Sequence, residues 1–227
     1  MFNTGIPTKL RHIRYGVKRE GIYYYVKRPY GILYHTDKHE IINAIKEEHQ
    51  YDSLNVKDKQ VVDIGADTGD TALQFAYRGA KEVYAYEPNV NSFKAIDLTL
   101  IHNAYKNIKA FNEAVLGKAG FVSIDANATP NRSSPLTQGS FRIKATTLDE
   151  IVKTHNIRNG VLKMDCEGYE YEIIDNASDN TLLAFDSMAI EMHYKGEGKV
   201  VERLKHLGYM VDIPAKHKEI FLIFARR

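Results

Sequence analysis

The chain has 227 residues, 44% hydrophobic and 26% charged, with a formal net charge of only +2. That size and balance suit one soluble globular domain with its own core, and exclude a disordered or fibrous chain. The single cysteine, Cys166, excludes an intrachain disulfide, and no stretch approaches the roughly 18 to 20 apolar residues of a membrane-crossing helix. With no apolar leader at the start, the expected location is cytoplasmic.

Residues 1–30 carry seven Lys or Arg against Glu20 alone, which leaves the rest of the chain at about −4. A basic end of this kind suits contact with phosphate on a lipid head group, a nucleotide-linked sugar or RNA, or it is a solvated arm. The aromatic run "YYYVKRPYGILYH" reads as strand. "TDKHEIINAIKEEHQ" then places Ile41, Ile42, Ala44 and Ile45 on one face of a helix that begins near Thr36 or Asp37. We expect residues 1–58 to cap a main domain of residues 59–227.

From residue 60 the chain alternates strand and helix, the pattern of a mostly parallel sheet with helices on both faces. Strands are predicted at 60–64, 82–86, 108–112, 160–165 and 187–193. Helices are predicted at about 69–78, 91–103, 147–155, 168–175 and 197–207. The stretch between the third and fourth of these strands reads as a short hairpin and a polar loop. Two last strands, near 209–213 and 220–224, are separated by about six residues. A parallel crossover needs about a dozen or more, so these two are antiparallel if they pair.

The stretch "VVDIGADTGDT" passes from an apolar strand into a Gly turn and then a helix. Such a turn suits a ligand carboxylate or phosphate. Its Gly65 and Gly69 do not make the G-x-G-x-x-G of a dinucleotide site, and neither Gly-Lys pair is followed by the Ser or Thr of a P-loop. "VYAYEPN" sets Glu87 at the end of the next strand, where a carboxylate can accept from both hydroxyls of a ribose. An unmodified ribose without a pyrophosphate points to S-adenosyl-L-methionine, its amino-acid end at the turn (Asp63, Gly65, Ala66, Asp67, Gly69) and its ribose at Glu87, Pro88 and Asn89.

A second cluster lies in "VLKMDCEGYEYEII" and "AIEMHYKG", which run off the fourth and fifth strands. Strand alternation puts Lys163 and Asp165 on one face with Cys166 opposite, and puts Glu191 and His193 together. Three readings of Asp165, Glu167, Glu191 and His193 stay open. One is a general base, either His193 near its ordinary pKa of about 6.5 or one of the carboxylates. Another is a divalent-metal site, although none is assigned. The last is a hydrogen-bonded network that neutralises Lys163. Cys166 lacks the preceding Pro of carbon methyltransferases and reads as a core residue. The Asn/Asp-Pro-Pro-Tyr/Phe run of nitrogen methyltransferases is also missing, which favours an oxygen acceptor.

From about residue 60 onward the sequence resembles the FkbM family of methyltransferases. The resemblance rests on "VVDIGADTGDTA", "YAYEPN", "FNEAVLGKAGFVSI", "ATTLDEI" and above all "LKMDCEGYEYEII" with "AIEMH". It implies a class I, Rossmann-like methyltransferase fold: a seven-stranded, mostly parallel sheet with an antiparallel C-terminal strand. It further implies O-methylation, often of sugars or natural-product hydroxyls. It assigns Asp63, Gly65 and Gly69 to the methionine end, Glu87 to the ribose, and Asn112 and Glu113 to the adenine edge. Lys163, Asp165, Glu167 and His193 would face the reaction centre, and Ser133 and Ser134 a loop near the cofactor. The acceptor is expected to be a small molecule or glycan, with a phosphate-bearing form included. An RNA methyltransferase, with Tyr23, Tyr24 and Tyr25 stacking on bases, and a non-catalytic cofactor-binding module are the alternatives.

Overall fold

The structure, a computed structural model, describes residues 15–125, 141–193, 197–217 and 220–227. Ser133, Ser134 and the first half of the basic N-terminal segment lie outside them. The chain opens with β1 (Lys18–Glu20), β2 (Tyr23–Arg28), β3 (Gly31–His35) and α1 (Lys38–Lys46). The three strands form an antiparallel sheet. Asp37 ends the strand region in extended backbone and caps α1, its carboxylate accepting from the His39 amide at 2.8 Å, an arrangement worth about 1 kcal/mol.

The main sheet is laid down by β4 (Gln60–Ile64), α2 (Asp70–Tyr77), β5 (Glu82–Tyr86), α3 (Val90–Ile101) and β6 (Ile108–Phe111). A small sheet follows, of β7 (Glu113–Val115), β8 (Gly120–Ile124) and β9 (Phe141–Thr146). The chain then returns through α4 (Leu148–His155), β10 (Gly160–Met164), α5 (Glu170–Asn176), α6 (Asp179–Leu182), β11 (Phe185–His193) and α7 (Glu197–His206). It closes with β12 (Met210–His217) and β13 (Ile220–Arg226). Thr147 begins α4 with a full capping box to Glu150, the arrangement that its Thr-x-x-Glu spacing encodes.

Seven strands pair in the order β12-β13-β11-β10-β4-β5-β6. β11, β10, β4, β5 and β6 are mutually parallel, while β13 runs antiparallel to both β11 and β12. The predicted C-terminal hairpin is therefore present, and it inserts its second strand next to β11. Alternation builds a core on each face of the sheet. Val62, Ile64, Leu162 and Met164 face one side with α4, α5 and α7 residues, while Val61, Val83, Val161 and Ala189 face the other with α2 and the N-terminal segment.

The N-terminal segment shares that second core through Val26, Leu33, Ile41, Leu54 and Val56. Asn103 clamps it to α3: its side chain accepts from the Ile32 amide at 2.9 Å and donates to the Ile32 carbonyl at 2.8 Å, as a neighbouring strand would. No helix among the described residues is long and apolar enough to cross a membrane.

The strand order reverses between β4 and β10, since the chain builds outward from β4 to β6 and returns to pair β10 on β4's other side. Ligands of open α/β sheets bind outside the carboxyl ends of the strands at such a reversal. The turns after β4 and β10 meet there.

Candidate active site

The turn after β4 is shaped by close packing. Gly65 has φ +73°, and a Cβ on it would lie 1.7 Å from the Asp165 carbonyl oxygen, so only glycine lets the β4 and β10 turns touch. The amides of Gly65 and Ala66 donate to the Tyr86 carbonyl at 3.0 and 3.2 Å, and that of Gly69 donates to Ala66 at 2.7 Å. These three amides thus hold the turn itself, where the sequence reading aimed the turn at a ligand.

Asp63 and Lys163 form the floor of the site. Both are buried; they pair at 3.1 Å, and Thr71 donates its hydroxyl to Asp63 at 2.6 Å. Lys163 also donates to the carbonyls of Gly65 at 2.6 Å and Ile64 at 3.3 Å. An ammonium has three protons; two go to these carbonyls, and the Asp63 contact is an ion pair whose Oδ1 has no hydrogen-bond partner among the described residues. Burial opposes its charge, but Asp63, Asp165 and Asp70 hold Lys163 well above the usual lysine range. Lys163, expected at the reaction centre, and Asp63, expected at the cofactor, are both buried beneath the Gly turn and brace it.

Glu87 leaves β5 with its carboxylate buried. One oxygen accepts from the Asp67 amide at 2.9 Å and the other from the Asn89 amide at 2.7 Å. Burial, helped by the nearby Asp67 charge, pushes its pKa up to about 8. Asn112 donates to the carbonyls of Glu87 and Pro88 at 2.9 and 3.1 Å, so it fixes this corner. Asn89 caps α3, and the Asp67 side chain accepts from Ser92 at 2.9 Å. Glu113 pairs instead with Lys144 at 2.9 Å on the small sheet.

Asp165, Glu167, Glu191 and His193 do converge. His193 Nε2 lies 3.7 Å from Glu191 and 3.9 Å from Glu167. Its Nδ1 lies 3.0 Å from Glu170, a residue that alternation along the strands did not bring forward because it sits in the first turn of the next helix. Its signal was the second acid of "EGYE". Glu170 is fully buried and also accepts the amides of Cys166 at 2.9 Å and Gly168 at 3.1 and 3.2 Å. Burial alone would raise Glu170, but His193 and these amides hold it below the ordinary carboxylate range. Cys166 is a neutral thiol, pushed well up by burial and the acids beside it.

The charge state of the cluster differs from the sequence expectation. Burial disfavours the imidazolium, yet the Glu170 hydrogen bond and the charges of Asp165 and Glu167 raise His193 to about 9. Near neutral pH it is a cation rather than a free base. Asp165 moves the other way in availability. Burial, reinforced by Glu191 and Glu167 and opposed by Lys163 and His193, lifts its carboxyl to about 8. Asp165, Glu170 and His193 each offer a ligand atom within 4.8 Å of the others, but the Glu170 oxygens already serve four donor contacts, which suits a hydrogen-bonded dyad better than a metal ligand.

The residues fit the expected cofactor on the chemistry of this donor set. A carboxylate offers about four lone-pair directions, and Glu87 spends two on amides, which leaves two for a vicinal diol. The acids around the turn suit a sulfonium cation.

A doubly wound sheet with its site at the central strand reversal and one reversed strand next to the edge is the class I methyltransferase fold. Residues 63–223 match the family model described as the methyltransferase FkbM domain. Among solved structures, the precorrin-6y C5,15-methyltransferase of Geobacter metallireducens GS-15 is 14% identical over 80% of this chain and 86% of its own, with a TM-score of 0.49. The ribosomal protein L11 methylase of Lactobacillus delbrueckii subsp. bulgaricus is 13% identical over 84% and 80%, with a TM-score of 0.49. TrmK of M. capricolum, solved with S-adenosylhomocysteine, is 13% identical over 79% and 67%, at 0.48. No curated protein sequence matches. With most of its length under the family model, the chain belongs to the FkbM family of S-adenosylmethionine-dependent methyltransferases.

Proposed function

We propose that the enzyme methylates a hydroxyl oxygen of a sugar or sugar-bearing acceptor, with Asp165 taking the proton. The observation that carries this reading is the set of acids at the ends of β10 and β11, among them the half-buried Asp165 carboxyl, pushed up to about 8. A general base is best matched when its pKa lies near the working pH.

Glu87 would hold the ribose hydroxyls, and the turn through Gly65, Ala66, Asp67 and Gly69 the methionine end. When bound, S-adenosylmethionine supplies an electrophilic methyl group. The chain's own task is then to align the acceptor oxygen and remove its proton. Asp165 accepts that proton, the His193 cation stabilises the Asp165 carboxylate, and Glu170 keeps the imidazole turned toward it. Lys163 keeps the two turns in register from below.

Replacing Asp165 with Asn tests this. We expect methyl transfer to fall at least about a hundredfold while cofactor affinity, measured by titration calorimetry, stays within a few-fold. Unchanged transfer would remove Asp165 as the base.

A further inference from the structure

The N-terminal segment reaches the site through the turn after α1. Gln50 donates its side-chain amide to Glu191. Beside it, the Tyr51 ring lies over the Lys163 ammonium, 5.7 Å from nitrogen to ring centre. The turn is held rigidly, since Arg78 donates to the carbonyls of Tyr51 at 3.1 Å, Asp52 at 3.0 Å and Leu54.

Tyr51 is 6% exposed, and its hydroxyl is buried with no hydrogen-bond partner among the described residues. A buried hydroxyl without a partner costs on the order of a hydrogen bond's desolvation, so its retention here calls for a ligand. Gln50 meets Glu191 of β11 and the Tyr51 ring meets Lys163 of β10, so this turn lies against the end of the sheet that carries the acids; burial first, and then the charges of Asp165, Glu191, Asp63 and Glu47, push the phenol up. Glu47 stands exposed at the outer end of the same turn.

Resting on the assignment of this site to methyl transfer, we propose that the turn after α1 forms the acceptor wall. Tyr51 hydrogen-bonds the acceptor, and the acids around it admit uncharged polyhydroxylated molecules while repelling anionic ones. Among the described residues the cations acting on Asp165, Glu167, Glu191 and Glu47 are Lys163 and His193, and Lys163 is buried and engaged with Asp63 and the carbonyls of Ile64 and Gly65. A phosphate or carboxylate on the acceptor would meet carboxylates without a free partner, a like-charge placement that strongly disfavours binding. On this proposal the site disfavours the phosphate-bearing acceptor that the basic N-terminal sequence allows.

The test uses the full chain with S-adenosylhomocysteine bound, and saturation-transfer NMR with a panel of methyl glycosides and the matching sugar phosphates. We expect wild type to bind neutral glycosides and not the phosphates. Tyr51→Phe keeps the ring and should weaken glycoside binding about tenfold, the loss of one hydrogen bond, with cofactor affinity unchanged and the melting temperature unchanged or raised, because an unpartnered buried hydroxyl is removed. Glu47→Lys, at an exposed position, should admit sugar phosphates. Equal glycoside binding by Tyr51→Phe would overturn the proposal and leave a buried water as the hydroxyl's partner. So would preference of wild type for phosphates, or no binding of any glycoside. If glycosides bind through Tyr51 but Asp165→Asn still transfers methyl groups, this inference stands and the assignment of the base falls.

Discussion

At the scale of single residues, the pair His193 and Glu170 sets the charge beside Asp165. Glu170 is buried and negative, so it holds the proton on His193 against the cost of burial. Glu170→Gln keeps a hydrogen-bond acceptor but removes the charge. The imidazole should then titrate at least about one unit lower, read from its ring nitrogens by NMR; an unchanged titration would mean that Glu170 only packs. His193→Gln removes a cation beside Asp165, so the acid limb of the pH–rate profile should move to higher pH. Were His193 the base, the limb would vanish instead. Glu87→Ala should weaken cofactor binding by about a hundredfold, as two hydrogen bonds to a carboxylate are lost. Because Glu87 titrates at about 8 in the free protein, the affinity advantage of wild type over this variant should grow as pH rises from neutral toward 8.

At the scale of elements, the two turns after β4 and β10 act as one unit. Gly65→Ala would drive a methyl group into the backbone of Asp165, and backbone cannot swing aside as a side chain can. We expect a loss of at least about 3 kcal/mol in stability by chemical denaturation, since strain at positive φ adds to the clash. The elements themselves were legible in sequence because pattern and caps agree: short apolar strand runs such as Val61–Ile64 and Val161–Met164, Thr147 with Glu150, Asp37 before an amphipathic run. The reversed β13 followed from the shortness of its connection. Less legible was what crosses between elements. Glu170 reaches back from a helix to a strand-end histidine, and Gln50 and Tyr51 arrive from a segment more than a hundred residues earlier. No local pattern encodes such meetings. The inward turn of Asp63 and Lys163 was hidden for the same reason, since alternation gives a face but not the partner waiting on it.

At the scale of the whole molecule, the site concentrates groups that hold protons more tightly folded than unfolded. Asp70, Glu87 and Asp165 stand at about 7, 8 and 8, and His193 at about 9. All four are raised, so the native state binds more protons than the unfolded chain between about pH 5 and 9. Stability must fall as pH rises through that window. Thermal unfolding should show its highest melting temperature on the acid side of neutrality and a steady decline toward pH 9, lessened in His193→Gln. A flat or rising curve would contradict these charge assignments. Above about pH 8, where Glu87 and Asp165 are ionised, the acids attract the sulfonium cation more than the neutral thioether product. Raising salt should therefore weaken S-adenosylmethionine binding more than S-adenosylhomocysteine binding.

The central claim, hydroxyl methylation with Asp165 as base, is tested most directly by transfer of labelled methyl from S-adenosylmethionine into a fractionated cell extract, by wild type and by Asp165→Asn. The account predicts label in the carbohydrate fraction with wild type, and at least about a hundredfold less with Asp165→Asn at equal cofactor affinity. Label confined to RNA or protein, or undiminished transfer by Asp165→Asn, would contradict it.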